Sequence, residues 1–334
     1  MVSAVIFVAT SCVSPLTGFA FWETNLAYEG ESIYNYLQVK NLSDRTILST
    51  NVLFGVQSVT MKDKGLTGMY YDTALAAPAL ADNANSALIL GVGTGTYARQ
   101  LKQYYPKMNI TGVEIDQKIT DLAGEYFDEP ADIPVTTYDG RAWLAASHDK
   151  YDVIMVDAYQ DITIPFQMSS TEFFTMVREH LNPGGVMVVN MNMISDGQGS
   201  INEALSDTIA SVFGNGNTLT ADVPNTTNRE LFAKKPGSGS EENSMQQASK
   251  ALNLRETTYE RTGSEDLEWY MEEVASRFRK VNEPDSASTI LTDDKAPVEV
   301  LGMHAIDQII ADEAGPYRQI LKDEGFGGLL RAVQ

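Results

Sequence analysis

From residue 87 onward, short apolar runs alternate with segments of helical spacing, and this alternation constrains the fold more than any other feature of the sequence. Most runs are four to six residues long and rich in Val, Ile and Leu, which is typical of buried strands. Alternating strands and helices predict a doubly wound, mostly parallel sheet. The predicted strands are 87–90, 110–115, 135–138, 151–156, 186–190 and 230–233, and the predicted helices are 96–105, 118–127, 171–181 and 201–213.

A different pattern precedes this region. Residues 32–39, 45–50 and 57–61 alternate polar and apolar side chains, and short turns separate them. Alternation with a period of two predicts strands that are buried on one side only. We therefore expect a small antiparallel β domain ahead of the large sheet.

The first 22 residues predict a membrane segment. Residues 2–22 carry no charged side chain, and a helix of this length crosses the roughly 30 Å hydrocarbon core of a bilayer. Trp22 stands where an interfacial aromatic residue would lie. We expect a membrane-associated protein with its α/β domain on the cytoplasmic side, although no Lys or Arg precedes Lys40 to set the orientation. The alternative is a helix or strand pair that is buried in the protein.

Charge and cysteine content limit the partners and cofactors. The chain has 24 Lys and Arg against 45 Asp and Glu, a formal net charge of −21. This balance argues against a nucleic-acid partner, because phosphate binding depends on basic side chains. The single cysteine, Cys12, excludes a disulfide framework and a Cys-based zinc site. Three widely spaced histidines argue against a His-rich metal site, so no metal centre is expected.

The first strand of the large sheet ends in a glycine-rich turn. In an open α/β sheet, ligands bind beyond the carboxyl ends of the strands. Gly91, Gly93 and Gly95 would let the backbone approach such a ligand closely, and the next helix offers its N-terminus. A dinucleotide-binding turn usually has another glycine at the place of Thr96. The turn, including Thr94, is therefore predicted to contact a smaller nucleoside ligand.

Acidic residues stand at the ends of the next three strands. Glu114 follows Gly91 by 23 residues, and an acid at this place can accept hydrogen bonds from both ribose hydroxyls. Asp139, followed by Gly140, can accept from an adenine amino group, or it caps the following helix. Asp157 ends the fourth strand. Together these residues favour a single nucleoside with a charged sulfonium tail.

These motifs together resemble the spermidine synthase (polyamine aminopropyltransferase) family, over about residues 31–235. The apolar start and the segments 157–174 and 291–298 are most similar to a membrane-fused branch of that family. The segments that carry the resemblance are Gln57-Ser58, Tyr70-Tyr71, the glycine-rich turn, 113–116 (VEID), 138–140 (YDG) and 151–157 (YDVIMVD).

The resemblance implies a class I methyltransferase-like fold that follows a small β domain. It implies decarboxylated S-adenosylmethionine as the donor co-substrate, without a bound prosthetic group, and a diamine such as putrescine as the acceptor. A homodimer is also expected. The sequence patterns and the resemblance together predict four regions: an apolar transmembrane segment over 1–22, a small β domain over 23–68, a Rossmann-like nucleoside-binding catalytic domain over 69–236, and a linker with a C-terminal helical extension over 237–334.

The resemblance also implies roles for single residues. By match with the family's motifs, Glu114 would hold the ribose, Asp139 the adenine and Asp157 the attacking amine. Asp161 approximates a second amine-binding acid, although it stands one residue further from Asp157 than in the family. The other predicted substrate-binding residues are Gln57, Tyr70, Tyr71 and Tyr159.

The sequence departs from the family at three places. Thr94 replaces an aspartate of the glycine-rich turn, Asp72-Thr73 replaces Gln-Glu after the entrance tyrosine, and Thr226 stands where the family has a tyrosine. The nucleoside half of the pattern therefore matches better than the amine half.

The charges of such a site predict its mechanism. A free amine has a pKa near 10, so it must lose a proton before it can attack the methylene beside the sulfonium. Asp157 is the predicted base, and burial must raise its pKa above that of an ordinary Asp.

Two alternatives stay open at this point. A class I S-adenosylmethionine-dependent methyltransferase would use Glu114 and Asp139 in the same way with intact S-adenosylmethionine. A non-catalytic nucleoside- or polyamine-binding domain attached to a membrane would also fit these residues. The acidic pair Asp157 and Asp161 favours aminopropyl transfer, because a methyl acceptor needs no paired carboxylates.

Overall fold

The small N-terminal sheet is a four-stranded antiparallel meander in which each strand pairs with the next one along the chain. Its strands are β1 (Leu26–Glu31), β2 (Tyr36–Asn41), β3 (Arg45–Thr50) and β4 (Ser58–Met61). The prediction of a small antiparallel β unit is confirmed. The computed structural model describes residues 23–51, 55–63, 65–128, 130, 132–159, 164–192, 199–237, 253–286, 288–305 and 322.

The large sheet has eight strands in the order β12-β10-β11-β9-β8-β5-β6-β7. Strands β5 to β9 run parallel, whereas β10, β11 and β12 pair antiparallel at one edge. The predicted doubly wound sheet is therefore confirmed. The strands are β5 (Ser86–Leu90), β6 (Asn109–Glu114), β7 (Val135–Thr137), β8 (Tyr151–Val156), β9 (Leu181–Met191), β10 (Thr218–Asp222), β11 (Arg229–Lys234) and β12 (Arg279–Lys280).

Helices cover both faces of this sheet, because neighbouring residues of a strand point to opposite sides. On one face, Val153 and Val188 pack with α1, α2, α3, α8 and α9. On the other face, Ile154 and Met187 pack with α5, α6 and α7. The helices are α1 (Tyr70–Ala74), α2 (Ala76–Leu80), α3 (Thr96–Tyr104), α4 (Gln117–Tyr126), α5 (Gly140–Ala146), α6 (Thr171–His180), α7 (Ile201–Phe213), α8 (Leu254–Thr262) and α9 (Glu265–Ser276).

The small sheet packs against α4 near the carboxyl ends of the parallel strands. Buried Leu37 and Leu48 of the small sheet pack with Leu122 of α4. In the turn between β1 and β2, Ser32 Oγ and Asn35 Nδ2 donate to Asp116 Oδ2 over 2.6 and 3.0 Å. Asp116 also caps the N-terminus of α4. These contacts hold the small sheet beside the ends of β5 and β6, where the sequence predicts the ligand.

The prediction of a membrane-associated protein is wrong. Within the described ranges, no helix is both long enough and apolar enough to cross a bilayer. The apolar segment 1–22, on which the prediction was based, lies outside the described residues. The absence of charged side chains from one segment does not by itself establish a membrane helix.

Candidate active site

A cavity of about 300 Å³ lies at the carboxyl ends of β5, β6 and β8, beneath the small sheet. Thr94 and Gly95 belong to the same glycine-rich turn but do not line this cavity, and Asp161 lies outside the described residues. Ten of the thirteen predicted site residues line it: Gln57, Tyr70, Tyr71, Gly91, Gly93, Glu114, Asp139, Gly140, Asp157 and Tyr159.

The glycine-rich turn brings backbone close to the cavity. Gly91 and Gly93 have φ angles of +86° and +58°, a conformation that residues with a side chain rarely adopt. A Cβ atom on Gly91 would overlap the backbone carbonyl of Asp157, and one on Gly93 would come within 2.6 Å of Ser58 Oγ. Glycine is therefore required at both positions for the turn to pack against the end of β8 and against the small sheet.

Glu114 is held at the end of β6 by backbone amides. Its Oε2 accepts from the Gly93 amide over 2.8 Å, and its Oε1 accepts from the Asp116 amide over 3.0 Å. The residue is 6 % exposed, and burial raises the pKa of its carboxyl group. Each carboxylate oxygen has two acceptor sites. The fixed carboxylate can therefore still accept hydrogen bonds from ligand hydroxyls.

Asp139 caps a helix and also lines the cavity. Its Oδ1 accepts from the Ala142 amide over 2.8 Å, so it caps the N-terminus of α5. It also lines the cavity, next to Gly140. The cap fixes the carboxylate at the edge of the cavity, where a ligand donor can approach its second oxygen.

Asp157 is a cavity acid whose surroundings change its chemistry strongly. Its Oδ2 accepts from the Tyr70 hydroxyl over 2.7 Å, and its Oδ1 accepts from Asn190 Nδ2 over 2.9 Å. Burial raises the pKa of Asp157 to about 7, although the two hydrogen bonds oppose this shift and the charge of Glu114 adds to it. A carboxylate with this pKa can take up a proton near neutral pH, which an ordinary Asp does poorly.

Three tyrosines form the wall beside Asp157. The ring centroids of Tyr70 and Tyr71 are 4.0 Å apart. The Tyr71 hydroxyl donates to the backbone carbonyl of Gln57 over 2.6 Å, and the Tyr159 hydroxyl donates to the backbone carbonyl of Asn190. Burial raises the pKa of all three phenols, so they remain protonated donors.

The three places that depart from the family pattern do not line the cavity. Thr94 is fully buried, and its amide donates to Ser58 Oγ over 3.2 Å. Asp72 is also buried and accepts from the Gly68 amide over 2.7 Å, which fixes the turn before α1. Thr226 Oγ1 donates to the Val223 carbonyl within a turn. None of the three lines the described cavity.

The sequence reasoning missed two polar residues of the site. Asn190, at the end of an apolar run in β9, holds Asp157 and accepts from Asn228 Nδ2 over 2.8 Å. A polar side chain at the carboxyl end of a parallel strand was a signal that could have identified it. Asn35 lines the cavity from the turn between β1 and β2, and nothing in the sequence distinguished that turn from others.

A family model and a curated relative both match this chain, and both point to the same family. The family model for the spermine/spermidine synthase domain matches residues 69–235. A curated "Probable polyamine aminopropyl transferase" of Bifidobacterium longum is 99% identical over 334 residues, which is all of this chain and 75% of that protein.

Two solved structures share the fold. The crystal structure of a probable spermidine synthase from Corynebacterium glutamicum aligns with a TM-score of 0.57 and 22% identity, over 80% of this chain and 99% of that one. A spermidine synthase in complex with the transition state analogue AdoDATO aligns with a TM-score of 0.54 and 17% identity, over 75% of this chain and 88% of that one.

Proposed function

The chain belongs to the spermine/spermidine synthase family, and we propose that its cavity transfers an aminopropyl group from decarboxylated S-adenosylmethionine to an amine such as putrescine. The observation that carries this proposal is Asp157, whose pKa is raised to about 7 and which shares one cavity with Glu114 and Asp139. A base beside two nucleoside-binding acids is the arrangement that this transfer requires. The predicted membership of a membrane-fused branch has no support among the relatives.

The nucleoside end of the donor lies against Glu114 and Asp139 in this proposal. The carboxylate of Glu114 accepts from the ribose hydroxyls, and Asp139 accepts from the adenine amino group. Gly91 and Gly93 bring backbone to the tail of the donor. Thr94 and Gly95 belong to the same turn, but neither of them lines the cavity. The donor is a co-substrate, so the reaction needs no resident prosthetic group.

The acceptor amine reacts at Asp157. Asp157 takes one proton from the ammonium, and the freed lone pair attacks the methylene carbon next to the donor's sulfonium. A C–N bond forms as the C–S bond breaks, and the sulfur leaves as the neutral thioether of methylthioadenosine. The hydrogen bonds from Tyr70 and Asn190 hold the carboxylate in place, so the amine is positioned before it reacts.

The aromatic wall suits a cationic amine. Tyr70, Tyr71 and Tyr159 line the cavity next to Asp157, and aromatic faces attract ammonium groups while their edges pack against methylenes. Asp161 stays a prediction as a second amine-binding acid, because it lies outside the described residues. The homodimer also stays a prediction, which light scattering of the purified protein would test.

Mass spectrometry of the products tests this function against the two alternatives. We expect methylthioadenosine and spermidine when the purified chain is incubated with decarboxylated S-adenosylmethionine and putrescine. With intact S-adenosylmethionine, a methylated amine and S-adenosylhomocysteine would indicate a methyltransferase instead. Binding of both ligands in calorimetry without any product would indicate a non-catalytic domain, and either result would overturn the proposal.

A further inference from the structure

The segment 291–293 lies beyond the region that the family model matches, which ends at residue 235. It is nevertheless built into the large domain. Leu291 is fully buried in the core on the α6 and α7 side of the large sheet. Its carbonyl accepts from the Thr171 amide over 2.9 Å, and its amide donates to Thr208 Oγ1 over 2.9 Å. The C-terminal part of the chain is therefore held at the N-terminus of α6, and the reaction described above gives it no role.

Asp293, in the same segment, forms a two-point ion pair with Arg141 of α5. Arg141 Nη1 and Nη2 donate to the two carboxylate oxygens of Asp293 over 2.7 and 2.6 Å. The carboxylate also accepts from Ser170 Oγ over 2.5 Å, and the Asp293 amide donates to Glu172 over 3.0 Å. The hydrogen bonds between the pair lower the pKa of Asp293 and raise that of Arg141. Such a pairing of two planar groups fixes the direction of the guanidinium.

The fixed guanidinium of Arg141 also reaches a wall of the cavity. Its Nη1 donates to the backbone carbonyl of Gln167 over 2.7 Å. Gln167 belongs to the segment 165–168, called the donor wall below, and three of the four residues of this segment line the cavity. A Cβ atom on Gly140 would be 3.6 Å from Met168 Cε, so the donor wall packs against the start of α5. Arg141 therefore connects the C-terminal segment to the lining of the cavity.

We propose that Arg141 and Asp293 are positioning residues of the donor site. Asp293 holds the guanidinium of Arg141, and Arg141 holds the donor wall by the carbonyl of Gln167 before the donor binds. This inference rests on the proposed function, in which the adenine of the donor lies beside Asp139. A segment that is already ordered loses less conformational freedom when a ligand binds. The pair therefore increases the affinity for the donor without contacting it.

The exposure of the ion pair distinguishes this role from a contribution to global stability. The side chains of Arg141 and Asp293 are 21% and 41% exposed, and ion pairs with such exposure contribute little to the free energy of unfolding. The acceptor half is held separately, because Asp157 is fixed by Tyr70 and Asn190. Loss of the pair should therefore weaken donor binding, with little change in stability or in the affinity for the amine.

Asp293→Asn and Arg141→Gln test the inference, because they change the net charge in opposite directions. Both variants should raise the KM for decarboxylated S-adenosylmethionine about threefold to tenfold, while kcat and the KM for putrescine stay unchanged. If only charge mattered, the cationic donor would bind more tightly to Arg141→Gln and more weakly to Asp293→Asn. The double variant should lose no more affinity than Arg141→Gln alone, since Asp293 acts through Arg141.

The matched control is Glu272→Gln, which removes one carboxylate from an ion pair of similar exposure between α8 and α9. It should keep the wild-type KM for the donor. Amide hydrogen exchange of the donor wall gives a readout that does not depend on activity. Without ligand, this exchange should be faster in Asp293→Asn than in the wild type, and bound donor should slow it to the wild-type rate.

Arg141→Lys remains decisive if the other variants fold poorly. Lysine keeps the charge but cannot form the two-point pair, so the KM for the donor should still rise, by a smaller factor. An unchanged KM in Arg141→Lys and Asp293→Asn would overturn the inference, as would changes of opposite sign in Arg141→Gln and Asp293→Asn, or unchanged exchange of the donor wall. Wild-type protein that binds the donor without any aminopropyl transfer would instead overturn the proposed function.

Discussion

The donor and acceptor halves of the cavity are built in different ways. In the donor half, backbone amides hold the acids: Gly93 and Asp116 donate to Glu114, and Ala142 donates to Asp139. In the acceptor half, Asp157 is held by the side chains of two residues from other elements. Backbone amides are present whatever the side chains are, whereas side-chain partners change with every substitution. The acceptor half is therefore where members of such a fold can change their substrate.

The largest expected effect lies in the acceptor half. Asp157→Asn keeps the shape of the side chain but removes the base, so we expect kcat to fall by roughly 10²–10⁴. The affinity for the donor should remain, because Glu114 and Asp139 are intact. Steady-state kinetics and calorimetric titration of the donor separate the two effects.

An exposed acid offers the control for this variant. Asp121→Asn removes one negative charge on the outer face of α4 and should leave kcat and the affinity for the donor unchanged. Near-normal aminopropyl transfer by Asp157→Asn would mean that another group takes the proton from the amine.

A smaller effect is expected in the donor half. Glu114→Ala removes a charged acceptor from the ribose hydroxyls, and such hydrogen bonds contribute about 1.5–3 kcal/mol each. The affinity for the donor should fall at least roughly tenfold, with little change in the affinity for the amine. Titration of the variant with decarboxylated S-adenosylmethionine measures this, and an unchanged dissociation constant would remove Glu114 from the donor site.

The contrast between the halves also explains what could be predicted from the sequence. Glu114, Asp139 and the glycine turn each follow a strand in an ordinary βα unit, so the position in the chain predicts the position in the fold. Asn190 reaches Asp157 only through the pairing of β8 with β9. Strand order at that edge is a tertiary property, and no local pattern encodes it.

The prediction of secondary structure was also accurate only where the local sequence pattern was strong. Long apolar runs predicted the central strands well, since burial on both faces leaves little doubt about their type. Short elements such as β1 and α5 were missed, because half-buried positions in β1 and a seven-residue helix that begins with Gly140 carry no clear period. The predicted strand 32–39 is the turn after β1 together with the start of β2, which hydrophobic alternation could not separate.

A moderate effect is expected when the hydrogen bond from Tyr70 to Asp157 is removed from the acceptor half. The Tyr70 hydroxyl donates to the ionised carboxylate of Asp157 and therefore lowers its pKa. Tyr70→Phe should raise that pKa above its present value of about 7, so Asp157 is ionised only at higher pH. The rising limb of kcat/KM against pH should then move to higher pH, with a loss of several-fold at neutral pH. Tyr71→Phe is the matched control, since its hydroxyl bonds to Gln57.

The smallest effect concerns Thr94, which was predicted from the sequence to be a donor-site residue but does not line the cavity. Thr94 is fully buried, and among the described residues its hydroxyl has no hydrogen-bond partner. Thr94→Val removes this hydroxyl and keeps the shape, so the unfolding free energy should rise by about 1 kcal/mol or stay unchanged. The affinity for the donor should change by less than about twofold, since the residue does not line the cavity. Denaturant unfolding and donor titration measure both quantities, and a tenfold loss of donor affinity would return Thr94 to the site.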